Sequence, residues 1–378
     1  MTKIQQLSLE FGEYLKDESR SCGHADTISF PRTTDDVRQV LAELASLDEE
    51  RGTCTPICVQ GGRTGLAAGA VPASGHVMNL SKMNAYLGMR ACDDGRGATR
   101  LFVRVQPGLV LSQLRSDLAD KNIPCAGFDD ASMAAWQAFQ EGPEVFFPTD
   151  PTEVSATIGG MVACNASGAR SYGYGPVRPH VSALRVVLAD GDVVALRRGE
   201  VHACGRVLTL VTEGGREIAL DLPTYEMPKT KNASGYFVED DMDAVDLFVG
   251  SDGTLGVVSE VELALTPAPA VVWGVSCFFE TETAALDFTC AVRPRLSYAK
   301  AIEYFDDGAL SILRSQRENS AAFSSLPSVE ERFACCVYVE LDCNDEAEAA
   351  SELYTIGDAM AEVGASEVDT WVARTDVD

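Results

Sequence analysis

The chain has no run of about 18 or more apolar residues, so no segment reads as a transmembrane helix. From Met1 to Arg20 polar and acidic residues stand where a signal peptide would carry its apolar stretch, and the expected location is the cytoplasm. Basic residues are scarce: 30 Lys and Arg against 57 Asp and Glu leave a net charge of −27. So acidic a surface repels nucleic acid and anionic membranes, and neither is expected as a partner. An anionic small molecule would need a local cluster of arginine or backbone N–H groups to overcome that field. Histidine is scarcer still, with only His24, His76, His180 and His202. Each reads as a surface or satisfied core residue, and no base is assigned among them. The 12 cysteines follow no zinc or iron–sulfur spacing, since Cys54 and Cys58 stand four apart and Cys335 and Cys336 are adjacent. They are expected to be reduced, buried, inert thiols, with no metal site.

What is present is ordinary globular composition, 46% hydrophobic and 23% charged over 378 residues, enough apolar material for two cores. Val37, Val40, Leu41 and Leu44 form a helical stripe across Thr34 to Leu47, with Thr34 and Asp35 available as caps. Pro56 to Gln60 reads as a short buried strand, and Val77 to Leu80, Leu101 to Val105 and Val181 to Leu188 as further strands. The last runs through the Asp190-Gly191 turn into Val193 to Arg197 as a hairpin, and Val207 to Val211 with Glu217 to Leu220 suggests a second. Gly127 to Gly142 reads as a surface helix or lid. Strands and helices mix without the regular alternation of a doubly wound sheet, so the fold class is α+β. Thr266-Pro267-Ala268-Pro269 punctuates the chain like a boundary, and the expected domains are residues 1–266 and 267–378.

Three glycine-rich stretches raise the question of why the chain gives up side chains, and close approach of backbone to a ligand is one answer. In the first, Gly61-Gly62-Arg63-Thr64-Gly65-Leu66, successive N–H groups can converge on an anion as a nest. It lacks the Gly-Lys-Ser/Thr ending of a triphosphate loop and the Gly-x-Gly-x-x-Gly dinucleotide spacing, so a tight structural turn remains as good a reading. The second runs from Phe147 to Gly168. Small residues fill almost every position after Ser155, which suits either a flat ligand against a helix start or close helix packing. The third, Gly250-Ser251-Asp252-Gly253-Thr254-Leu255-Gly256-Val257-Val258, feeds a strand continuing through Val261 and Leu263, and reads equally as a hairpin turn.

Taken together and in this order, the three stretches resemble the FAD-binding domain of the vanillyl-alcohol oxidase and para-cresol methylhydroxylase superfamily. Phe30-Pro31-Arg32-Thr33, Arg170, Tyr174-Gly175-Pro176 and Lys231-Asn232-Ala233-Ser234-Gly235-Tyr236 add to the likeness, which covers roughly residues 25 to 265. Within the superfamily the chain looks most like the glycolate oxidase flavin subunit and the D-lactate dehydrogenases. The resemblance implies a two-subdomain FAD-binding fold followed by an incomplete α+β cap domain. It implies that Gly61, Gly62, Arg63, Thr64, Gly65 and Leu66 cradle the FAD pyrophosphate. Pro148, Asp150, Pro151, Ser155, Ala156, Thr157, Gly159, Gly160, Ala163, Asn165, Ala166 and Gly168 would line the flavin and ribityl chain, with Tyr174 and Gly175 also on the cofactor. Gly253, Gly256, Val257 and Val258 would give a strand edge against it. Some members bind flavin through a histidine in the first loop; this chain has none there, so non-covalent FAD is expected.

Beyond residue 267 the likeness weakens, to Glu303-Tyr304-Phe305-Asp306 at the start of a cap helix and Trp371-x-x-Arg374, whose arginine would bind the substrate carboxylate. The family's His-x-Gly-Asp-Gly-Asn-x-His segment has no counterpart, so the expectation is either a truncated product or a site completed by another chain. The implied reaction is FAD-dependent oxidation of a D-2-hydroxy acid of D-lactate or glycolate type by hydride transfer to flavin N5. A quinone, an electron-transfer protein or oxygen would accept the electrons, with the chain cytoplasmic or peripheral to the membrane through a partner. The alternative is a non-catalytic flavin-binding subunit.

Overall fold

The computed structural model describes residues 4–93, 95, 97, 99–231, 234–323 and 326–374. Asn232 and Ala233 of the Lys231 to Tyr236 motif lie outside the described residues. The chain divides into two compact units, one taking in residues up to Ser167 with Pro176–Pro267, the other Gly168–Gly175 with the residues from Ala268 onward.

The first unit opens with β1 (Gln5–Gln6), β2 (Thr27–Ser29), β3 (Ile57–Gln60) and β4 (His76–Asn79), in sheet order β1-β2-β4-β3. Both β2 and β3 run parallel to β4. Parallel strands need a crossover, and helix α1 (Thr34–Arg51) supplies it between β2 and β3. Its cap is Thr33, whose hydroxyl accepts from Asp36 N at 3.1 Å, one residue before the expected Thr34 and Asp35. Those two positions are already helical. The helix outruns the expected Leu47 end and stops at Gly52, which takes φ +65. Its stripe of Val37, Val40, Leu41 and Leu44 packs on Met78, Leu80, Val187, Val193 and Val257.

The same unit contains β5 (Tyr86–Asp93), β6 (Thr99–Val105), β7 (Val145–Phe146), β8 (Val181–Val187), β9 (Val193–Arg197), β10 (Val207–Val211), β11 (Glu217–Asp221), β12 (Val257–Ala264) and β13 (Thr266–Pro267). Five of them form an antiparallel sheet of order β5-β6-β12-β8-β9, and β10 with β11 forms the second expected hairpin. Helices α2 (Leu111–Ala119), α3 (Asp130–Glu141) and α4 (Ile158–Cys164) pack into the core with Val103, Val105, Leu184, Val261 and Leu263. On the other face the carboxylate of Glu262 is buried. Burial would raise its pKa, but hydrogen bonds from Arg90 and Arg197 outweigh this and hold it below the usual glutamate value.

In the second unit, a short helix α5 (Ser171–Tyr174) precedes in sequence α6 (Ala244–Phe248) of the first. Its sheet comprises β14 (Val271–Phe279), β15 (Ala299–Phe305), β16 (Cys335–Cys343) and β17 (Thr370–Ala373) in antiparallel order β15-β16-β14-β17. Every second residue of β14 and β16, from Trp273 to Phe279 and from Cys335 to Cys343, enters one core with α7 (Glu282–Val292) and α9 (Glu346–Glu362). Opposite it, Leu310 of α8 (Asp307–Asn319) packs with Phe278 and Phe333. Glu303 to Phe305 end β15, and Asp306 caps α8 through a 2.8 Å bond from Ala309 N.

Several expectations are sharpened or corrected. Of the two readings of Gly127 to Gly142, the structure has the surface helix, α3, whose inner face is fixed by fully buried Phe139 and by Trp136 Nε1 donating to Ile123 O at 3.0 Å. The cysteines are free but mostly not buried; only Cys277, Cys335, Cys336 and Cys343 are, while Cys22, Cys54, Cys164, Cys204 and Cys290 are exposed. Among the described residues no group of His, Cys, Asp and Glu could hold a metal ion, and no helix is long and apolar enough to cross a membrane. His76 is a satisfied core histidine, its ring 2.8 Å from both the Thr27 and Ser29 hydroxyls.

Candidate cofactor site

The first glycine loop leaves the sheet at Gln60, which is buried. The Gln60 side-chain amide donates to Tyr14 O at 2.8 Å and to Ala70 O at 2.6 Å, closing the base of the loop. From the end of β4, Asn79 Nδ2 donates to Gly61 O at 3.3 Å. Glycine at 61 and 62 is dictated by the second stretch. A Cβ on Gly61 would stand 2.1 Å from Thr157 Oγ1, and one on Gly62 2.9 Å from Ser155 O. The Thr157 hydroxyl accepts from Gly62 N at 3.2 Å. Arg63 takes φ +59 and turns its side chain away, over the Tyr14 ring at 4.3 Å and onto Glu13 at 3.1 Å. Among the described residues, the N–H groups of Arg63, Thr64, Gly65 and Leu66 donate to no protein oxygen. Gly65 has open space where its side chain would be, and Leu66 is 80% exposed. Unengaged donors at the tip of a loop anchored at its base suit an oxyanion.

The second stretch is an extended strip followed by a helix. Leu111 N donates to Ala156 O, Ile158 N to Leu109 O, both at 2.9 Å, and Gly159 N to Pro107 O at 2.7 Å. Gly159 is demanded by that contact, since its Cβ would fall 2.4 Å from Pro107 Cβ. Upstream, Arg115 fixes the Pro148 to Pro151 turn through Thr149 O at 3.1 Å and the Asp150 carboxylate at 2.7 Å. Helix α4 ends at Asn165, which adopts φ +47.

The third loop joins α6 to β12, so it is a helix-to-strand connection and not a hairpin turn. It covers the end of α4: Gly250 N donates to Val162 O and Asp252 N to Ala163 O, both at 2.9 Å. Those carbonyls belong to the last helical turn, where Val162 O also accepts from the cap residue Asn165 N at 3.2 Å. The loop also approaches β3, where a Cβ on Gly253 would lie 3.8 Å from Val59 Cβ. Thus the structure brings the three stretches together, the first at the start of α4 and the third at its end.

Burial sorts the expected residues. Gly62, Gly65, Leu66 and Ser155 are exposed, and Gly61, Arg63, Thr64, Asp150, Pro151, Gly160, Ala163, Asn165, Ala166, Gly253, Gly256 and Val258 are half-buried. Pro148, Ala156, Thr157, Gly159 and Val257 are buried. Gly168, Tyr174 and Gly175 belong to the second unit, where the Tyr174 hydroxyl donates to Asp342 and Arg170 pairs with Glu340 at 2.6 Å. Burial and that carboxylate push the Tyr174 phenol well above its usual pKa. Arg374 follows β17, its guanidinium 4.5 Å over the Trp273 ring. Sequence reading missed the Pro107 to Leu109 support, Gln60, Asn79 and Arg178. The signal available for them was weak, because each acts through a contact with a distant part of the chain; a Pro-Gly pair at 107 and 108 was the only local mark.

Residues 131–197 match the FAD-binding domain family. Over 242 residues the chain is 30% identical to a D-lactate dehydrogenase of Anaerostipes hadrus, a match covering 62% of this chain and 38% of that protein. It is 25% identical to the glycolate oxidase subunit GlcD of Bacillus subtilis, over 76% of this chain and 47% of that protein. The chain therefore spans about half the length, or less, of these curated relatives. A solved alkyldihydroxyacetonephosphate synthase shares its fold, with a TM-score of 0.61 at 15% identity over 99% of this chain and 58% of that one. An FAD-binding domain is thus matched in sequence over part of the first unit, and the fold is shared with that solved synthase.

Proposed function

We propose that this chain holds FAD without a covalent bond and oxidises a D-2-hydroxy acid, of D-lactate or glycolate type, to the 2-oxo acid. The observation that carries the reading is the convergence of three glycine-rich stretches on α4, with the N–H groups from Arg63 to Leu66 unengaged among the described residues. Those donors would hold the diphosphate. Ser155, Gly160, Ala163, Asn165 and Ala166 would flank the rest of the cofactor, with Gly253, Gly256 and Val258 along the strand edge. Buried Pro148, Ala156, Thr157, Gly159 and Val257 would act by fixing those surfaces. No histidine occurs between Gly61 and Gly69, so the loop offers no imidazole for covalent attachment. When bound, FAD would supply the hydride acceptor. The first unit would be the FAD-binding domain and the second the cap. There Arg374, held over Trp273, would receive the substrate carboxylate. The names of the relatives support the hydroxy-acid class, and a quinone or an electron-transfer protein would take the electrons.

The test is a visible absorption spectrum of the purified chain before and after acid precipitation, followed by dye reduction with D-lactate and with glycolate. Yellow colour released to the supernatant and bleaching by one of these acids are expected. A colourless protein that takes up no added FAD overturns the cofactor reading. A yellow protein that neither acid bleaches overturns the substrate reading and leaves a flavin-holding subunit.

A further inference from the structure

The third loop is tied to the end of α4 by one side chain that no motif singles out. Arg178 stands in a short turn after α5, with its guanidinium largely enclosed, 15% exposed. Its backbone N donates to Asn165 Oδ1 at 3.1 Å, which anchors it at the left-handed cap of α4. Its guanidinium donates forward to two carbonyls where α6 passes into the third loop, Asp246 O within the helix and, at 2.6 Å, Val249 O at its C-terminal cap. The Phe237 ring covers it at 4.4 Å, and Nη2 lies 3.2 Å from where a Cβ on Gly250 would be. A charge so enclosed is costly unless paired, and the Asp246 carboxylate, 3.6 Å away, pairs with it. Arg198 fixes that carboxylate with two bonds of 3.0 and 2.9 Å and also donates to Arg178 O at 3.1 Å.

The geometry points to Arg178 as a positioning residue for the cofactor: it locks the Gly250 to Gly256 loop against the end of α4 and thereby sets FAD affinity without touching the ligand. This rests on the cofactor reading above. The planar fork is what the site uses, because two carbonyl acceptors must be met at once by one rigid donor group. A lysine keeps the charge but meets them with a single rotating ammonium.

The experiment compares the full chain with Arg178→Met, Arg178→Lys and a control, Arg185→Met, which removes surface ion pairs to Glu213 and Glu260 on the sheet face. FAD dissociation constants come from fluorescence titration, and amide hydrogen exchange is followed in the cofactor-free protein. Carbonyls left without their rigid donor free the loop, so affinity is expected to fall roughly tenfold or more in both Arg178 variants and to hold in the control. Exchange at Gly250 and Asp252 should quicken in the same two variants, and the visible circular dichroism of bound flavin should change. Unchanged affinity in Arg178→Met, with exchange faster across the whole unit, would show a merely structural residue and overturn the inference. Full rescue by Arg178→Lys would overturn the fork argument. A wild-type chain that binds no FAD overturns the cofactor reading itself, and is distinguished by the wild-type titration alone.

Discussion

Glycines are dense in both the loop after β3 and the loop before β12, yet the chain uses them differently. None of Gly61, Gly62 and Gly65 has a positive φ, whereas Gly250, Gly253 and Gly256 take +83, +72 and +152. In the first loop the glycines at 61 and 62 make room for Thr157 and Ser155. In the third they permit a backbone path that other residues rarely follow. The first loop is limited by contact, and the third by conformation with contact added at Gly256. A contact with a side chain, as at Gly61, can be relieved by trimming the neighbour; a conformation cannot.

The largest effect should come from Gly256→Ala. The new Cβ would add strain at φ +152 and would stand 2.7 Å from both Val186 Cγ1 and Val187 O. Strain and overpacking together should cost about 4 kcal/mol, read as a lower midpoint in urea unfolding. Adding Val186→Ala removes one obstacle but leaves the carbonyl and the backbone path, so it should restore little. Full recovery in the double variant would place this loop in the contact-limited class and dissolve the distinction.

The two loops also rest on sheets with different acid limits. Below the first lies His76, which burial holds neutral with a pKa lowered from 6.5 to about 4. Its folded pKa is depressed, so the unfolded chain binds the proton first. The stability linked to neutral His76 is whole above pH 6.5 and is lost as pH falls toward 4, a loss of roughly 2–3 kcal/mol. Below the third lies Glu262, held under its ordinary value of 4.5 by Arg90 and Arg197 against the effect of burial, so its contribution persists until lower pH. Unfolding free energies at pH 7 and pH 4.5 should therefore differ less in His76→Gln than in the wild type. An equal pH slope in both would remove His76 from the account.

A smaller loss is expected from Gly61→Ala, about 2 kcal/mol, from a Cβ placed 2.1 Å from Thr157 Oγ1. Thr157→Ala alone should cost about 1 kcal/mol by orphaning the bond from Gly62 N. In the double variant the hydroxyl is gone, and the costs should fall short of additive by about 1 kcal/mol or more. Strict additivity would mean that Gly61 is required for some reason other than Thr157.

How far the sequence discloses this depends on the range of the interaction. The α1 stripe, both hairpins and the alternation in β14 and β16 repeat at local periods and can be read directly. The three glycine stretches announce themselves by composition. What they do to one another does not, because Gly61 and Thr157 stand 96 positions apart in the numbering of the chain and their contact exists only after folding. The same holds for Arg178 with Val249 and for Gly159 with Pro107. The segment at Gly127 to Gly142 reads from sequence as a surface helix or lid, and only folding shows which: a helix whose face bearing Ser132, Ala135 and Phe139 packs inward. Cysteine misleads: as a small, weakly polar residue it carries no pattern that separates buried Cys335 from exposed Cys54.

The smallest effect is expected from Gly65→Ala. Gly65 has no positive φ and nothing within 4 Å of its would-be Cβ, so neither limit that governs the other glycines applies. The folded chain should gain or lose less than about 1 kcal/mol, since an unstrained Gly→Ala change mainly trims the entropy of the unfolded state. Any larger consequence must come from a ligand meant to occupy that open space. Melting curves of the cofactor-free variant should therefore overlay those of the wild type, while its FAD affinity falls. If affinity is unchanged as well, the methyl group and the cofactor do not compete for the same volume, and the diphosphate must lie on the Gly62 side of the loop.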